Sequence, residues 1–184
     1  MPGSIRFCTH CGAAVRLEIP AGDNRERHVC PTCAHIQYVN PRIVVGAVSA
    51  WEGRLLLCRR GIEPRSGFWT VPAGFMELGE SAEEGAVRET LEEACAQVEI
   101  AALLGAYSVP RIDQVHLFYA ARMLEPAHGS GAETLEARLA TWDEVPWEEL
   151  AFPSVRWALE IYREYAASRR EAWQPRAAAW APEC

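Results

Sequence analysis

Short apolar runs bounded by turn residues dominate the pattern of this chain and predict a fold built largely from β-strands. The predicted strands cover residues 43–50, 55–58, 98–107, 115–122 and 135–142. Residues 51–54 predict a hairpin turn between the first two strands, and residues 125–131, with Pro, Gly and His, predict a loop. Residues 143–150 predict a short helical turn, and residues 153–169 predict a longer helix. This order of elements indicates a mixed α/β domain.

A further helix is predicted to start at Ala82, because Ser81 and Glu84 form a capping-box pair at its N-terminus. We expect an apolar stripe of this helix to dock on a sheet while its glutamates face outward. The stripe consists of Val87, Leu91 and Ala94. In front of it, residues 68–74 predict a short strand that runs into a Pro/Gly turn. Strand, turn and helix together place the acidic face at the end of a sheet, where pockets usually lie.

Three glutamates on this helix, Glu89, Glu92 and Glu93, are the first candidates for chemistry. Their i, i+3 and i+4 spacing places them within roughly a third of the helix circumference, so they are expected to converge. Like charges at this spacing weaken a helix by roughly 0.2–0.5 kcal/mol per pair. A divalent cation would account for the arrangement, since Mg²⁺ binds well where carboxylates meet a substrate phosphate. An acidic face that only contacts water is the simpler alternative.

The residues around these glutamates resemble the Nudix box, Gly-x5-Glu-x7-Arg-Glu-U-x-Glu-Glu-x-Gly-U, in which U is a bulky aliphatic residue. The chain matches this motif at Gly74, Glu80, Arg88, Glu89, Glu92 and Glu93. It departs from the motif at Thr90 and Ala96, where aliphatic residues are expected, and at Cys95, where glycine is usual. Every charged position is intact, so the chain resembles the Nudix hydrolases, and the resemblance extends to about residue 169.

The resemblance implies a metal-dependent Nudix pyrophosphatase, a hydrolase acting on acid anhydrides. The implied ligands of Mg²⁺ or Mn²⁺ are the carbonyl of Gly74 and the carboxylates of Glu89, Glu92 and Glu93. Arg88 is expected to orient these carboxylates and to pair with Glu80. The alternative for that pair is an ordinary surface ion pair, which would contribute at most about 1 kcal/mol.

The general base is left open, because Nudix enzymes recruit it from different places. Glu89 is one candidate. Glu133 and Glu136 are others, since ADP-ribose-type members place their base in the corresponding segment. Glu136 is preferred here, because zinc-ribbon members carry a similar Glu-x-x-Glu-Ala-Arg run. The alternative is that both side chains only contact water at the start of a strand.

Four of the seven cysteines form two CxxC pairs near the N-terminus. They are Cys8, Cys11, Cys30 and Cys33. This spacing predicts one tetrahedral Zn²⁺ site with a structural role, since four thiolates leave no coordination position open. An iron site of the rubredoxin type and redox-active CxxC pairs are the alternatives. Residues 1–40 have little apolar content and are expected to need the metal in order to fold.

Composition is consistent with a small enzyme, since 184 residues of which 49% are hydrophobic can form one domain and a small appendage. No apolar run approaches the roughly 20 residues of a membrane span. The sequence MPGSIRF lacks the apolar core of a signal peptide, so we expect a cytoplasmic location and no membrane partner. The net charge of −7 argues against a broad nucleic-acid surface.

The element order and the resemblance together imply an α/β fold, a Nudix αβα sandwich with a mixed sheet, preceded by a small four-cysteine zinc ribbon. The expected domains are the zinc ribbon over 1–40, the Nudix hydrolase domain over 41–169 and a C-terminal tail over 170–184. A homodimer is expected because related ADP-ribose enzymes are commonly dimers.

Resemblance to particular groups of Nudix pyrophosphatases narrows the range of expected substrates. Zinc-ribbon NADH pyrophosphatases carry a Ser-Gln-Pro-Trp-Pro-Phe-Pro signature, which residues 105–114 lack. The spacing from Cys95 to Pro110 is similar to that of ADP-ribose pyrophosphatases. Three runs, residues 40–41, 69–74 and 88–93, together resemble the plant chloroplast-type FAD pyrophosphatases. The expected reaction is hydrolysis of ADP-ribose or FAD with release of AMP. The alternatives are an NADH or capped-RNA pyrophosphatase and a non-catalytic nucleotide-binding adaptor.

Candidate contacts with this nucleotide substrate are aromatic rings, arginines and Pro110. Trp69, Tyr107 and Phe118 could stack on an adenine or isoalloxazine ring, although such residues more often belong to a core. The candidate phosphate contacts are Arg59, Arg60, Arg65 and Arg111, with a water-exposed surface position as the alternative for each.

Overall fold

The computed structural model describes residues 5–168, which form two compact units. The first unit comprises residues up to Pro41 together with Pro110–Asp113, and the second comprises the remainder. The predicted domains over 1–40 and 41–169 do not anticipate that the 110–113 segment belongs with the first unit. The predicted tail over 170–184 lies outside the described residues.

The first unit contains a three-stranded antiparallel sheet with the order β1-β2-β3. Its strands are β1 (Arg16–Glu18), β2 (Arg27–Val29) and β3 (Ile36–Gln37). Between residues 5 and 41, the only buried residues are Cys8 and Cys30. This unit therefore has almost no apolar core of its own.

The second unit is built on a mixed seven-stranded sheet. Its strands are β4 (Arg42–Trp51), β5 (Arg54–Arg60), β6 (Trp69–Thr70), β7 (Ala73–Phe75), β8 (Val98–Val109), β9 (Gln114–Met123) and β10 (Thr134–Ala140). The main path is β10-β5-β4-β9-β8, while β6 pairs with β5 and β7 pairs with β4. Strands β4 and β9 are parallel, and the other pairs are antiparallel.

The predicted hairpin between β4 and β5 is confirmed. Trp51 pairs with Arg54, which leaves Glu52 and Gly53 as a two-residue loop. Their φ angles are 46° and 79°, and two left-handed residues are what a type I′ turn requires. The twist of this turn matches the twist of the strands, so local sequence fixes the register of the pair.

The predicted C-terminal boundary of the strand over 135–142 was wrong, because β10 ends at Ala140. The N–H and the hydroxyl of Thr141 both donate to the Glu144 carboxylate, at 2.7 and 2.9 Å, and this starts a 3₁₀ turn instead. The predicted helical turn over 143–150 consists of two such turns, Trp142–Glu144 and Trp147–Glu149.

Two helices, α1 (Ala82–Ala94) and α2 (Pro153–Ser168), cover opposite faces of the sheet. The core on the α1 face includes Val45, Leu56, Ala86, Tyr119 and Met123. The core on the α2 face includes Val48, Leu57, Phe118, Val155 and Leu159. The predicted αβα sandwich with a mixed sheet is confirmed. Neither α1 nor α2, nor any other helix within residues 5–168, has the length and apolar character needed to cross a membrane.

Candidate active site and metal centre

Helix α1 is fixed at both ends by local hydrogen bonds. The predicted capping box is confirmed, because the N–H of Glu84 donates to the Ser81 hydroxyl and the N–H of Ser81 donates to the Glu84 carboxylate. At the other end, Cys95 has a φ of 49°, and its N–H donates to the Leu91 carbonyl. Glycine is favoured in this left-handed conformation. Cys95 therefore departs from the motif at a position that shapes the helix end.

The face of α1 that packs on the sheet differs from the predicted apolar stripe. Its buried residues are Gly85, Ala86, Glu89, Thr90 and Ala94. Leu91 is 50% exposed, whereas Glu89 is only 8% exposed. Thr90 is accommodated in this face because its hydroxyl donates to the Ala86 carbonyl at 2.8 Å. The predicted apolar stripe was therefore wrong at Leu91. The expectation that the glutamates face outward was wrong for Glu89. Both differences arise because small residues bring this side of the helix close to the sheet.

Arg88 is the centre of an ion-pair network with three carboxylates. Its Nε and Nη2 donate to the two oxygens of Glu80, at 3.0 and 2.7 Å. Its Nη1 donates to Glu89 at 2.7 Å and to Glu92 at 3.0 Å, and Nη2 also donates to the Phe75 carbonyl. The hydrogen bonds from Arg88 hold the pKa of Glu80 at about 2, well below its ordinary value. All three nitrogens of Arg88 are engaged, which is the geometry of an orienting residue.

Gly74 lies directly against the Glu89 carboxylate. It pairs with Val45 across β7 and β4, and a Cβ added at Gly74 would overlap the Glu89 carboxylate. The motif needs glycine here because any side chain would displace that carboxylate. Burial raises the pKa of Glu89, although the hydrogen bond from Arg88 opposes the rise.

Glu93 is the carboxyl group whose ionisation the fold opposes most clearly. Its Oε2 accepts a hydrogen bond from the Ala73 N–H at 3.1 Å. Burial raises its pKa from the ordinary value of 4.5 to about 7, and the charges of Glu89 and Glu133 add to the rise. The hydrogen bond from Ala73 and the charge of Arg60 oppose it. A cation bound at this carboxylate would relieve the unfavourable ionisation.

The three box glutamates lie close to one another but are not gathered at a single point. Glu89 and Glu92 share Arg88, while Glu93 is held by Ala73. Within residues 5–168, the cysteine cluster is the only group of three or more His, Cys, Asp or Glu side chains whose ligand atoms lie within 4.8 Å of one another. Arg88 offsets the repulsion between Glu89 and Glu92, and the Ala73 N–H holds Glu93 separately. Their function as metal ligands stays a prediction.

The loop between β9 and β10 caps the C-terminal end of α1. The N–H of Gly129 donates to the Ala94 carbonyl at 2.8 Å, and the N–H of Gly131 donates to the Glu93 carbonyl at 2.9 Å. A Cβ added at Gly131 would overlap the carbonyl oxygen of Glu92. The loop thus supplies donors that the helix end cannot supply itself. Sequence reasoning found this loop but missed its contact with α1, and the Gly-Ser-Gly run was the available signal.

Glu133 lies at the end of this loop, near the carboxylates of α1. Its carbonyl accepts a hydrogen bond from the Gly61 N–H at 2.7 Å. Its side chain is exposed, and its charge contributes to the raised pKa of Glu93. Of the three box glutamates, Glu93 is the one on which the charge of Glu133 acts.

Glu136, the preferred candidate for the base, lies on a different face of the sheet from α1. It follows a register shift in β10. Ala137 and Leu139 pack toward the core beside α1, whereas Arg138 lies over the Trp69 ring of the core beside α2. Because side chains alternate along a strand, Glu136 belongs to the face away from α1.

The predicted substrate contacts are spread over the molecule. Trp69 is 5% exposed, and Tyr107 stacks on Trp157 with ring centroids 5.4 Å apart, so both belong to the core beside α2. Arg59 is exposed, and its Nε donates to a backbone carbonyl of the loop between β5 and β6. Pro110 starts the 3₁₀ turn that follows β8 and belongs to the first unit. All four stay predictions.

The four N-terminal cysteines lie together, as predicted. Their sulfur atoms all lie within 4.8 Å of one another, in Cys8, Cys11, Cys30 and Cys33. The Cys8–Cys33 and Cys11–Cys30 sulfur distances are 3.7 and 3.5 Å, and all four thiols are free of disulfides. Thiolates at about 2.3 Å from a tetrahedral Zn²⁺ would be separated by roughly 3.8 Å. The spacing of the cluster therefore fits one zinc ion.

The two CxxC turns share one backbone form. The N–H of Gly12 donates to the Cys8 carbonyl, and the N–H of Ala34 donates to the Cys30 carbonyl, each at 2.9 Å. Both donor residues have left-handed backbones, with φ angles of 75° and 58°. A repeated turn of this kind lets two pairs that are distant in sequence contribute equivalently to one site.

Family models and solved structures assign both units. A model described as Nudix N-terminal, a zinc ribbon, matches residues 6–39, and a model described as NUDIX domain matches residues 40–165. The crystal structure of a NUDIX hydrolase from Nitrosomonas europaea is similar, with a TM-score of 0.87 and 44% identity. That likeness covers 92% of this chain and 97% of the other.

Curated relatives carry several different names, of which two are described below. The ADP-ribose pyrophosphatase of Methanocaldococcus jannaschii is 32% identical over 119 residues, which are 62% of this chain and 69% of the relative. The NAD-capped RNA hydrolase NudC of Chromobacterium violaceum is 38% identical over 97 residues. That match covers 52% of this chain but only 34% of NudC, so the chain spans about a third of that relative. The chain belongs to the Nudix hydrolase family, as a Nudix pyrophosphatase with an N-terminal zinc ribbon.

Proposed function

We propose that the protein hydrolyses the diphosphate bond of a nucleoside diphosphate linked to a second moiety, in a reaction that depends on a divalent metal. The observation that carries this proposal is a pair of carboxyl groups one helical turn apart, of which Glu89 is buried and Glu93 is half-buried. Loss of contact with water raises the pKa of both groups, to about 7 for Glu93. An acidic face that only contacted water would leave these carboxyl groups exposed, since withdrawing a charge from water is unfavourable.

The residues that would hold Mg²⁺ or Mn²⁺ are Gly74, through its carbonyl, and Glu89, Glu92 and Glu93. All four offer oxygen, the donor that these hard ions prefer. When bound, the ions would neutralise charge on the phosphate oxygens and help to aim a water molecule at phosphorus. Arg88 keeps Glu89 and Glu92 oriented, and the glycine at position 74 leaves room for the Glu89 carboxylate.

Glu133 is the general base in this proposal, in preference to Glu136. Its exposed carboxylate can take a proton from a water molecule, and its charge already acts on Glu93. Glu136 belongs to the face of β10 away from α1. Glu89, the third candidate, already accepts a hydrogen bond from Arg88 at 2.7 Å.

ADP-ribose and FAD are the proposed substrates, and AMP is the common product. ADP-ribose is supported by the relative from Methanocaldococcus jannaschii, which is named for that activity. FAD is supported by the sequence resemblance to FAD pyrophosphatases. The second candidate is an NAD-capped RNA, supported by the NudC relatives, although this chain matches about a third of their length.

The function is tested with a panel of ADP-ribose, FAD, NADH, dinucleoside polyphosphates, nucleoside triphosphates and NAD-capped RNA. Each compound is incubated with Mg²⁺ or Mn²⁺, and the products are separated by chromatography. We expect the highest kcat/KM with ADP-ribose or FAD, and no hydrolysis without a divalent metal. A higher kcat/KM for NADH, capped RNA or a triphosphate would contradict the proposal that ADP-ribose or FAD is the substrate. Nucleotide binding without any hydrolysis would favour the adaptor alternative.

The cysteine cluster, in our proposal, holds one structural Zn²⁺. Its support is that Cys8 and Cys30 are the only buried residues between positions 5 and 41. With so little apolar burial, metal bonds would supply most of the stability of this unit. Four thiolates leave no open coordination position, so the site would stabilise the fold rather than take part in hydrolysis.

A further inference from the structure

Gly131 brings the backbone of the loop between β9 and β10 against the last turn of α1. Its N–H donates to the Glu93 carbonyl at 2.9 Å, and a Cβ added at this position would overlap the Glu92 carbonyl oxygen. The two backbones therefore lie closer together than any side chain at position 131 would allow. Glycine is needed for this close approach rather than for a left-handed backbone, since the φ of Gly131 lies outside that region.

The same glycine also begins the turn that carries Glu133. The Gly131 carbonyl accepts a hydrogen bond from the Thr134 N–H at 3.1 Å, which closes a turn around Ala132 and Glu133. The Glu133 carbonyl accepts a hydrogen bond from the Gly61 N–H at 2.7 Å. The backbone of Glu133 is therefore held on two sides, by a turn attached to α1 and by the residue that follows β5.

A side chain at position 131 would displace the loop rather than the helix. Ala94, the last residue of α1, is fully buried in the core beside that helix. Ser130 and Glu133, on either side of Gly131, are exposed. Because a packed core resists movement more than an exposed loop does, an added Cβ would move Glu133 relative to α1 and leave the helix in place.

We propose that Gly131 is a positioning residue, which fixes Glu133 relative to the carboxylates of α1. The inference rests on the proposed function, in which Glu133 takes a proton from the attacking water molecule while the carboxylates of α1 hold the metal. The base and the metal ligands belong to segments that are distant in sequence, and Gly131 joins these segments through backbone contacts. A displacement of about 1 Å in such an arrangement lowers a rate by on the order of a hundredfold.

The test measures kcat, KM and the Mg²⁺ concentration for half-maximal activity in Gly131→Ala, with the best substrate of the panel. Gly129→Ala is the matched control, because Gly129 lies in the same loop and donates to the Ala94 carbonyl at 2.8 Å. A Cβ at position 129 meets only Cys95, at 3.7 and 3.9 Å, which are ordinary contacts. We expect Gly131→Ala to lower kcat by on the order of a hundredfold, with KM and the Mg²⁺ requirement unchanged. Gly129→Ala should match the wild type.

A double-mutant cycle with Glu133→Gln distinguishes a positioning role from a general loss of stability. If Gly131 acts through Glu133, Gly131→Ala has little further effect once the carboxylate is gone. The double variant should therefore be about as active as Glu133→Gln alone. Independent effects would instead multiply, to a loss of roughly ten-thousandfold.

All variants are assayed below the thermal midpoint of the least stable one, because Gly131→Ala is also expected to be destabilised. If Gly131→Ala does not fold, Gly61→Ala takes its place. A Cβ at position 61 would meet the Glu133 carbonyl oxygen at 3.0 Å, so it would shift the same residue by a smaller amount. Its loss of kcat should be smaller and should disappear in the Glu133→Gln background.

Wild-type kcat in Gly131→Ala would overturn the inference, and so would independent losses in the double variant or an equal loss in Gly129→Ala. A raised Mg²⁺ requirement in Gly131→Ala would also overturn it, because α1 would then be the part that moves. Full activity of Glu133→Gln would refute the inference together with the choice of base. In each of these cases the wild type still hydrolyses its substrate, so the proposed function stands. A wild type that hydrolyses nothing in the panel would refute the proposed function and this inference with it.

Discussion

Replacement of Glu93 by glutamine should make the metal-free protein more stable at neutral and alkaline pH. In the fold, burial raises the pKa of Glu93 from 4.5 to about 7. This difference corresponds to about 3 kcal/mol of unfavourable free energy once the group is ionised in both the folded and the unfolded state. Glutamine has no charge, and its amide oxygen can still accept the hydrogen bond from Ala73. Its buried NH₂ group, however, lacks an assured partner and will offset part of the gain.

The pH dependence of the stability difference separates the effect of the Glu93 charge from the cost of the glutamine NH₂ group, because only the charge effect changes with pH. A carboxyl group whose pKa is raised by folding favours the folded state below the unfolded pKa, and this contribution is lost as the pH rises through the folded pKa. The wild type should therefore lose stability between about pH 4.5 and pH 7, whereas Glu93→Gln should not. The advantage of the mutant should grow by about 2 kcal/mol between pH 5 and pH 8. For a protein of this size that is a shift of roughly 4–8 °C in Tm.

The assay is thermal and urea unfolding of both proteins, in Mg²⁺-free buffer and again with Mg²⁺. The exposed Glu164→Gln on α2 is the matched control, for which we expect wild-type stability. With Mg²⁺, the order should reverse, because only the wild type gains from metal binding. The rate of hydrolysis in Glu93→Gln should fall on the order of a thousandfold. If the difference in stability between the wild type and Glu93→Gln did not depend on pH, the argument that burial raises the pKa of Glu93 would be refuted. Full activity of Glu93→Gln would refute the proposal that Glu93 belongs to the active site.

Three further predictions concern other parts of the molecule. Cys30→Ser should lower the tightly bound zinc, measured by elemental analysis, from about one per chain to well below one, while the Nudix unit keeps its Mg²⁺-dependent activity. Gly131→Ala should lower the free energy of unfolding by about 2 kcal/mol or more, because its Cβ would overlap the Glu92 carbonyl, whereas Gly129→Ala meets only ordinary contacts and should be nearly neutral in urea titrations. Glu133→Gln should lower kcat at least a hundredfold with unchanged Mg²⁺ affinity. The same loss in Glu136→Gln, with full activity in Glu133→Gln, would contradict our choice of base.

Features that depend on neighbouring residues could be predicted from the sequence. The start of α1 follows from Ser81 and Glu84, which bind each other across one helical turn. The hairpin follows from Gly53, which accepts the left-handed backbone of a type I′ turn. The cysteine cluster follows from two turns of the same form. The helix start, the hairpin and each CxxC turn are fixed within about five residues, so the local pattern carries the information, and the CxxC spacing predicts that the two turns share one site.

Features that depend on packing could not be predicted in the same way. Helical spacing placed Leu91 among the buried positions, but the small residues of α1 turn Glu89 toward the sheet instead. A register shift between Thr134 and Glu136 decides which side chains of β10 face α1, and a regular alternation cannot reveal it. The capping of α1 by Gly131 joins segments that are distant in sequence. These contacts become visible only when the sheet and both helices are in place.

The two units depend on metal for different physical reasons. Between residues 5 and 41 the buried side chains are themselves proposed zinc ligands, so removal of the metal would remove the core of that unit. The second unit has apolar cores on both faces of its sheet, and the burial of Glu89 and Glu93 is a local disadvantage that a cation would relieve. Loss of Mg²⁺ should therefore leave the second unit folded, with Glu93 half protonated near pH 7, whereas loss of Zn²⁺ should unfold the ribbon. The first unit would thus need its metal in order to fold, whereas the second would need its metal to balance the charge of its carboxylates.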